Sequence, residues 1–86
     1  MADSKPLMAD LQLDLRGTPC PINFVRTKLQ LKKMTANQLL EVWLDAGEPM
    51  EQVPDSLKME GYLVEAAIAQ AEGSYYALFV RCPAEG

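Results

Sequence analysis

LQLDLRGTPCPINF, residues 11–24, joins two periodicities across a hinge that holds two prolines. Leu11, Leu13 and Leu15 alternate with Gln12 and Asp14, the period-two pattern of a half-buried strand, and Arg16-Gly17 ends it. From Pro21 to about Met34 there is no glycine and no further proline, and good helix formers predominate. This predicts a helix beginning at Pro21, where the N–H that proline lacks would have no intrahelical partner anyway.

Outward from this unit, Thr35-Ala36-Asn37 is a polar break, and QLLEVWLD at 38–45 predicts a more deeply buried strand with Trp43 in the core. Ala46-Gly47-Glu48-Pro49 is a turn. Pro54 would lose a hydrogen bond and clash one turn back inside a regular helix, so the second helix is expected from Pro54 to a closing Gly61, after a loop or single turn. Tyr62–Gln70 and Tyr75–Arg81 read as a hairpin around Ala71-Glu72-Gly73-Ser74. The order β-α-β-α-β-β predicts an α+β fold: a two-layer α/β sandwich with a mixed four-stranded sheet and both helices on one face. Residues 1–9 read as a flexible N-terminal tail, and 10–83 as a single domain.

With 86 residues, the chain has room for one core but not for a second lobe with its own cofactor. A net charge of −4 argues against direct nucleic-acid binding. No apolar run approaches the ~20 residues that span a bilayer, and the start lacks the pattern of a secretory signal, so a cytoplasmic address away from membranes is expected. The absence of histidine removes Cys-His and Ser-His-Asp catalysis and histidine-ligated metals. No metal and no cofactor is expected, and any chemistry must run on a thiol, carboxylates, lysines or the backbone. The charges are unevenly placed: Leu15 to Leu40 contains Arg16, Arg26, Lys28, Lys32 and Lys33 but no acid.

Cys20 lies inside that basic segment. A residue preceding proline is pushed toward extended backbone, so Pro19 and Pro21 hold Thr18 and Cys20 extended, which places Cys20 at the N-cap of the helix. There its side chain would face the N–H groups of Ile22 and Asn23, Pro21 having none. A neutral thiol caps poorly, but a thiolate is an anion at the positive end of a helix. The macrodipole contributes only ~0.3–1 kcal/mol at an exposed site, less than about one pKa unit, so further activation calls for N–H hydrogen bonds and a cation such as Arg16. The alternative is a small buried hydrophobe, the commoner state of a free cysteine.

The helix carries two apolar stripes on nearly opposite sides, Phe24-Leu31-Met34 and Ile22-Val25-Leu29. We assign the first to the core and the second, framed by Arg26, Lys28 and Lys32, to an exposed docking patch beside Cys20; the periodicity equally allows the opposite assignment or one wide buried face. The basic frame suits an acidic partner surface. Asp45, Glu48 and Glu51 share a loop without metal-ligand spacing and read as solvated surface.

Asp14-Leu15-Arg16-Gly17-Thr18-Pro19-Cys20-Pro21, followed by a lysine-bearing helix, a β-α-β-β remainder and Val53-Pro54, resembles the TusA family of sulfur carriers, also called SirA-like proteins, over residues 11 to about 82. The resemblance implies the same two-layer sandwich and a persulfide carried on the cysteine of a Cys-Pro-x-Pro motif. Cys20 would then be the catalytic nucleophile and Pro21 the first motif proline, with Arg16, Ile22 and Asn23 supporting the thiolate. Here Asn23 replaces the second proline. Implied partners are a cysteine desulfurase or rhodanese-like sulfur donor and a downstream acceptor protein, serving tRNA thiolation, molybdenum-cofactor maturation or sulfur metabolism. In the family's sheet the last strand runs antiparallel to the first, which would put Cys82 at the edge of the sheet opposite Cys20, as a packing residue or a bystander. Two other classes stay open: a non-catalytic interaction module using the Cys-Pro helix start as an epitope, and a thiol redox sensor, which the lack of Cys-x-x-Cys disfavours.

Overall fold

The computed structural model describes residues 9–19 and 21–83. Its elements are β1 (Leu11–Asp14), α1 (Ile22–Lys33), β2 (Leu39–Asp45), α2 (Glu48–Met59), β3 (Leu63–Gln70) and β4 (Tyr75–Arg81), with a 3-10 turn at Ala71–Gly73 closing the hairpin. The strands form one mixed sheet in the order β1-β2-β4-β3, in which β1 and β2 are parallel and the other pairs antiparallel. This is the α+β sandwich expected from the sequence.

Strand parity builds the core. Leu40, Val42 and Leu44 of β2 and Leu78 and Val80 of β4 point to one face, where they are wholly buried with Leu31 of α1 and Val53 and Leu57 of α2. Both helices therefore cover the same face. Cys82 belongs to this cluster, its N–H donating to the Gln38 carbonyl at 2.9 Å and its Sγ lying 3.5 Å from the Leu31 carbonyl oxygen, and burial pushes its thiol pKa up. Because the end of β4 pairs with the start of β2, Cys82 sits at the end of the sheet away from the β1–α1 loop, as expected of a packing residue.

The opposite parity, Leu39 and Trp43 with Ala77 and Phe79, forms a second, smaller cluster on the face without helices. Trp43 lies here, half-buried, not in the main core: with Leu40, Val42 and Leu44 turned to the helices, alternation sends it to the other side. Of the expected tail, residues 1–8 lie outside the described residues, and Ala9 packs against this second cluster.

The second helix also corrects the sequence reading. It begins at Glu48, and Pro54 stands inside it, with Pro49 in the first turn. Proline in a helix interior costs ~3 kcal/mol, while burying Val53 and Leu57 contributes ~1.5–3 kcal/mol each, so packing outweighs the break. Gly61, at φ +96°, ends the helix in the left-handed conformation the sequence predicts. On the outer strand, a bulge between Val64 and Ala66 shifts the β3–β4 register around Glu65, whose carboxylate pairs with Arg81.

Truncating Leu57 to alanine is expected to cost ~2–5 kcal/mol in urea unfolding, whereas Met59→Ala at the 87% exposed end of the same helix should change stability by less than ~0.5 kcal/mol.

Candidate functional site

β1 leaves the sheet beside Trp43, and a short chain of hydrogen bonds then carries the backbone to α1. The Leu15 N–H donates to the Trp43 carbonyl at 3.0 Å, the last backbone-to-backbone tie to the neighbouring strand among the described residues. Next, the Thr18 N–H returns to the Leu15 carbonyl at 3.1 Å and closes a turn in which Gly17 takes φ +80°. The Gly17 N–H donates to Asp45 Oδ2 at 2.6 Å, across 28 positions of sequence. Finally the Asn23 N–H donates to the Pro19 carbonyl at 3.0 Å, and the helix follows.

Arg16 is fixed at the outer side of this turn. Its Nε and Nη2 donate to Asp14 Oδ1 and Oδ2 at 2.9 and 2.7 Å, and its backbone N–H also reaches Asp14 Oδ1 at 3.1 Å. The side-chain hydrogen bonds from Arg16 lower the Asp14 pKa to about 2. The guanidinium lies 4.7 Å from the Trp43 ring centroid and 4.5 Å from that of Tyr75, two rings themselves 5.4 Å apart. The cation expected to serve the thiol is thus committed to Asp14 and to aromatic faces on the helix-free side of the sheet.

Cys20 itself lies outside the described residues. Around it, the helix start differs in detail from expectation. Pro21 is the N-cap and α1 begins at Ile22. The Asn23 N–H, expected to face the thiol, is taken by Pro19; the Phe24 N–H goes to Asn23 Oδ1 at 2.6 Å and the Val25 N–H to the Pro21 carbonyl at 3.0 Å. Among the described residues nothing accepts the Ile22 N–H. Among the described residues, this helix start offers an anion the Ile22 N–H and the positive end of the dipole.

Asn23 turns inward. It is fully buried with Thr27, whose hydroxyl donates to the Asn23 carbonyl at 2.9 Å, while Asn23 Nδ2 has no hydrogen-bond partner among the described residues. The buried face of α1 is Asn23, Thr27 and Leu31 at helical spacing, flanked by half-buried Phe24 and Met34. Ile22, Val25 and Leu29 lie outward at 49, 46 and 54% exposure, so burial decides between the two stripe assignments. Of the basic frame, Lys28 is bound to Glu60 of the α2 C-cap at 3.2 Å and lies over the Phe24 ring. Arg26 and Lys32 are exposed, with no ion-pair partner among the described residues.

Asp45 is the residue that the sequence reading passed over. Read as solvated surface, it is half-buried and holds the turn before Cys20. The available signal was positional: Asp45 ends the strand parallel to β1, at the end of the sheet from which the β1–α1 loop departs. Among the described residues no cluster of acids and thiols forms a metal site, and no helix is long and apolar enough to cross a membrane.

Known proteins share both the pattern and the fold. The family model for sulfurtransferase TusA matches residues 11–82. A protein of Archaeoglobus fulgidus named for sulfur carriage is 38% identical over 63 residues, covering 73% of this chain and 72% of its own. YedF of Escherichia coli, likewise named for sulfur carriage, is 30% identical over 60 residues, covering 70% and 78%. Among solved structures, a SirA-like protein from Desulfitobacterium hafniense superposes with a TM-score of 0.73 at 19% identity, over 85% of this chain and 97% of that one, which shows a common fold. With the family model spanning all four strands and both helices, the chain belongs to the TusA sulfurtransferase family.

Proposed function

We propose that the protein is a sulfur carrier of the reducing cytoplasm that holds persulfide sulfur on Cys20 and hands it to an acceptor protein. The observation that carries this reading is the pinned turn from Leu15 to Pro19 leading into a helix start whose Ile22 N–H remains without an acceptor among the described residues. Family membership and the sulfur-carrier names of the relatives support it.

The chemistry is thiol exchange. The Cys20 thiolate attacks the terminal sulfur of a persulfide on the donor, a cysteine desulfurase or rhodanese-like enzyme; the donor's sulfur–sulfur bond breaks and its cysteine leaves as a thiolate. Cys20 is left as a persulfide, with one sulfur atom moved and no external oxidant consumed. Repetition of the same exchange with an acceptor thiol restores Cys20. Partial thiolate character at neutral pH suffices, since nucleophilicity falls as the pKa is lowered. Pro21 stands at the N-cap of the helix, and the Ile22 N–H is the donor toward the anion. The role foreseen for Asn23 changes: its N–H and carbonyl are used within the helix, so its part is to set the first turn from inside.

Donor and acceptor meet the exposed Ile22, Val25 and Leu29, with Arg26 and Lys32 free to pair with an acidic rim and Lys28 reaching it only by leaving Glu60. An interaction module without chemistry would use the same patch, and Cys20 separates the two readings.

Intact mass after incubation with a cysteine desulfurase and cysteine is expected to rise by ~32 Da, reversibly with reductant, in the native chain and not in Cys20→Ser. No adduct from several donors, despite a reactive thiol, would favour the interaction module. Val25→Asp is expected to leave the thermal midpoint unchanged and raise KM for the carrier ~5-fold or more in donor assays; an unaltered KM would remove the patch from the interface.

A further inference from the structure

We infer that Asp45 is a positioning residue for Cys20: through the Gly17 N–H, its carboxylate holds the turn that sets the cysteine at the start of α1. Among the described residues the chain beyond Leu15 makes no further backbone-to-backbone bond to β2, yet two residues later it is tied to that strand again, and the tie is a side chain. The bond is short, 2.6 Å, and joins a carboxylate to a backbone donor, the charge-assisted kind that holds geometry most firmly. Every other hydrogen bond described between Gly17 and the start of α1 lies within the segment itself: Thr18 to Leu15, Asn23 to Pro19, Val25 to Pro21. Asp45 is thus the contact that refers this segment to the central strands. Arg16, stacked on Trp43 and Tyr75, braces the same turn from the outer side.

The inference deepens the sulfur-carrier reading, but its test does not require sulfur transfer. The opposing effects of charge and position separate the roles open to Asp45. As a nearby negative charge alone, it would disfavour the thiolate, and removing it would lower the Cys20 pKa. As a positioner, it keeps the thiol where the helix terminus favours the anion, and removing it raises the pKa. Asparagine keeps an acceptor for Gly17 and discards the charge. Asp14, Arg16 and Tyr75, titratable groups described at this corner, are left unsubstituted in every variant.

The rate of iodoacetamide reaction, read by mass on the Cys20 peptide so that Cys82 does not contribute, is followed against pH in the native chain, Asp45→Ala and Asp45→Asn. The midpoint is expected to rise by ~0.5 pH unit in Asp45→Ala and not to rise in Asp45→Asn. An unchanged or lowered midpoint in Asp45→Ala, or an equal rise in both, overturns the inference. Should Asp45→Ala not fold, Asp45→Asn is compared with Asp45→Ser, whose hydroxyl falls short of Gly17, under the same criteria. A native chain that shows these shifts but takes no sulfur from a desulfurase defeats the carrier reading and leaves the positioning role standing.

Discussion

The pairing of β2 with β4 is the constraint on which the molecule rests. These two central strands supply wholly buried side chains to the helix-facing core, Leu40, Val42 and Leu44 from one and Leu78 and Val80 from the other, and also seed the smaller cluster behind it through Leu39, Ala77 and Phe79. Their antiparallel register, Leu39 opposite Arg81 through Asp45 opposite Tyr75, decides which residues meet at each end. At the Asp45 end the register brings Trp43, Asp45 and Tyr75 to one corner, and that corner receives the turn after β1. At the other end it sets Cys82 beside Gln38 under the last turn of α1.

Of the two cysteines, Cys82 is the one that packs. Cys82 is held among apolar side chains, and desolvation disfavours its ionised form. The open apolar hollow of about 450 Å³ that it lines with Leu31, Met34 and Tyr62 lies at that same far end. Cys20 instead follows, in sequence, a turn fastened by a carboxylate, a stacked guanidinium and backbone bonds.

The sequence makes the architecture legible because its signals are local. Alternation in Leu11–Leu15, the break at Thr35–Asn37 and the turn at Ala71–Ser74 mark strand limits directly, and β4 runs over Tyr75–Arg81 as its turn signal requires. The two stripes of α1 are equally visible, although only packing against the sheet could decide which one is buried. Trp43 was misplaced because β2 is covered on both faces, so hydrophobicity along it does not report which face a residue takes. Pro54 misled because a local rule was outweighed by Val53 and Leu57 meeting the sheet. Asn23 and Asp45 escaped for a deeper reason: a polar side chain can be buried or can hold a backbone 28 positions away, and neither fact leaves a periodic trace.

The irregularity at Glu65 bears on how the margins of the sheet resist pairing with another chain while an apolar helix face stays uncovered. Sheet edges with free N–H and C=O groups invite strand-to-strand aggregation. One edge here, β1, is only four residues long and ends in the Asp14–Arg16 pair; the other, β3, has its hydrogen-bonding row interrupted by the bulge and carries the Glu65–Arg81 pair beside it. Both margins are thereby poor templates for fibril growth, although Leu11 on one and Leu63 and Ile68 on the other expose apolar side chains, as Ile22, Val25 and Leu29 do on α1.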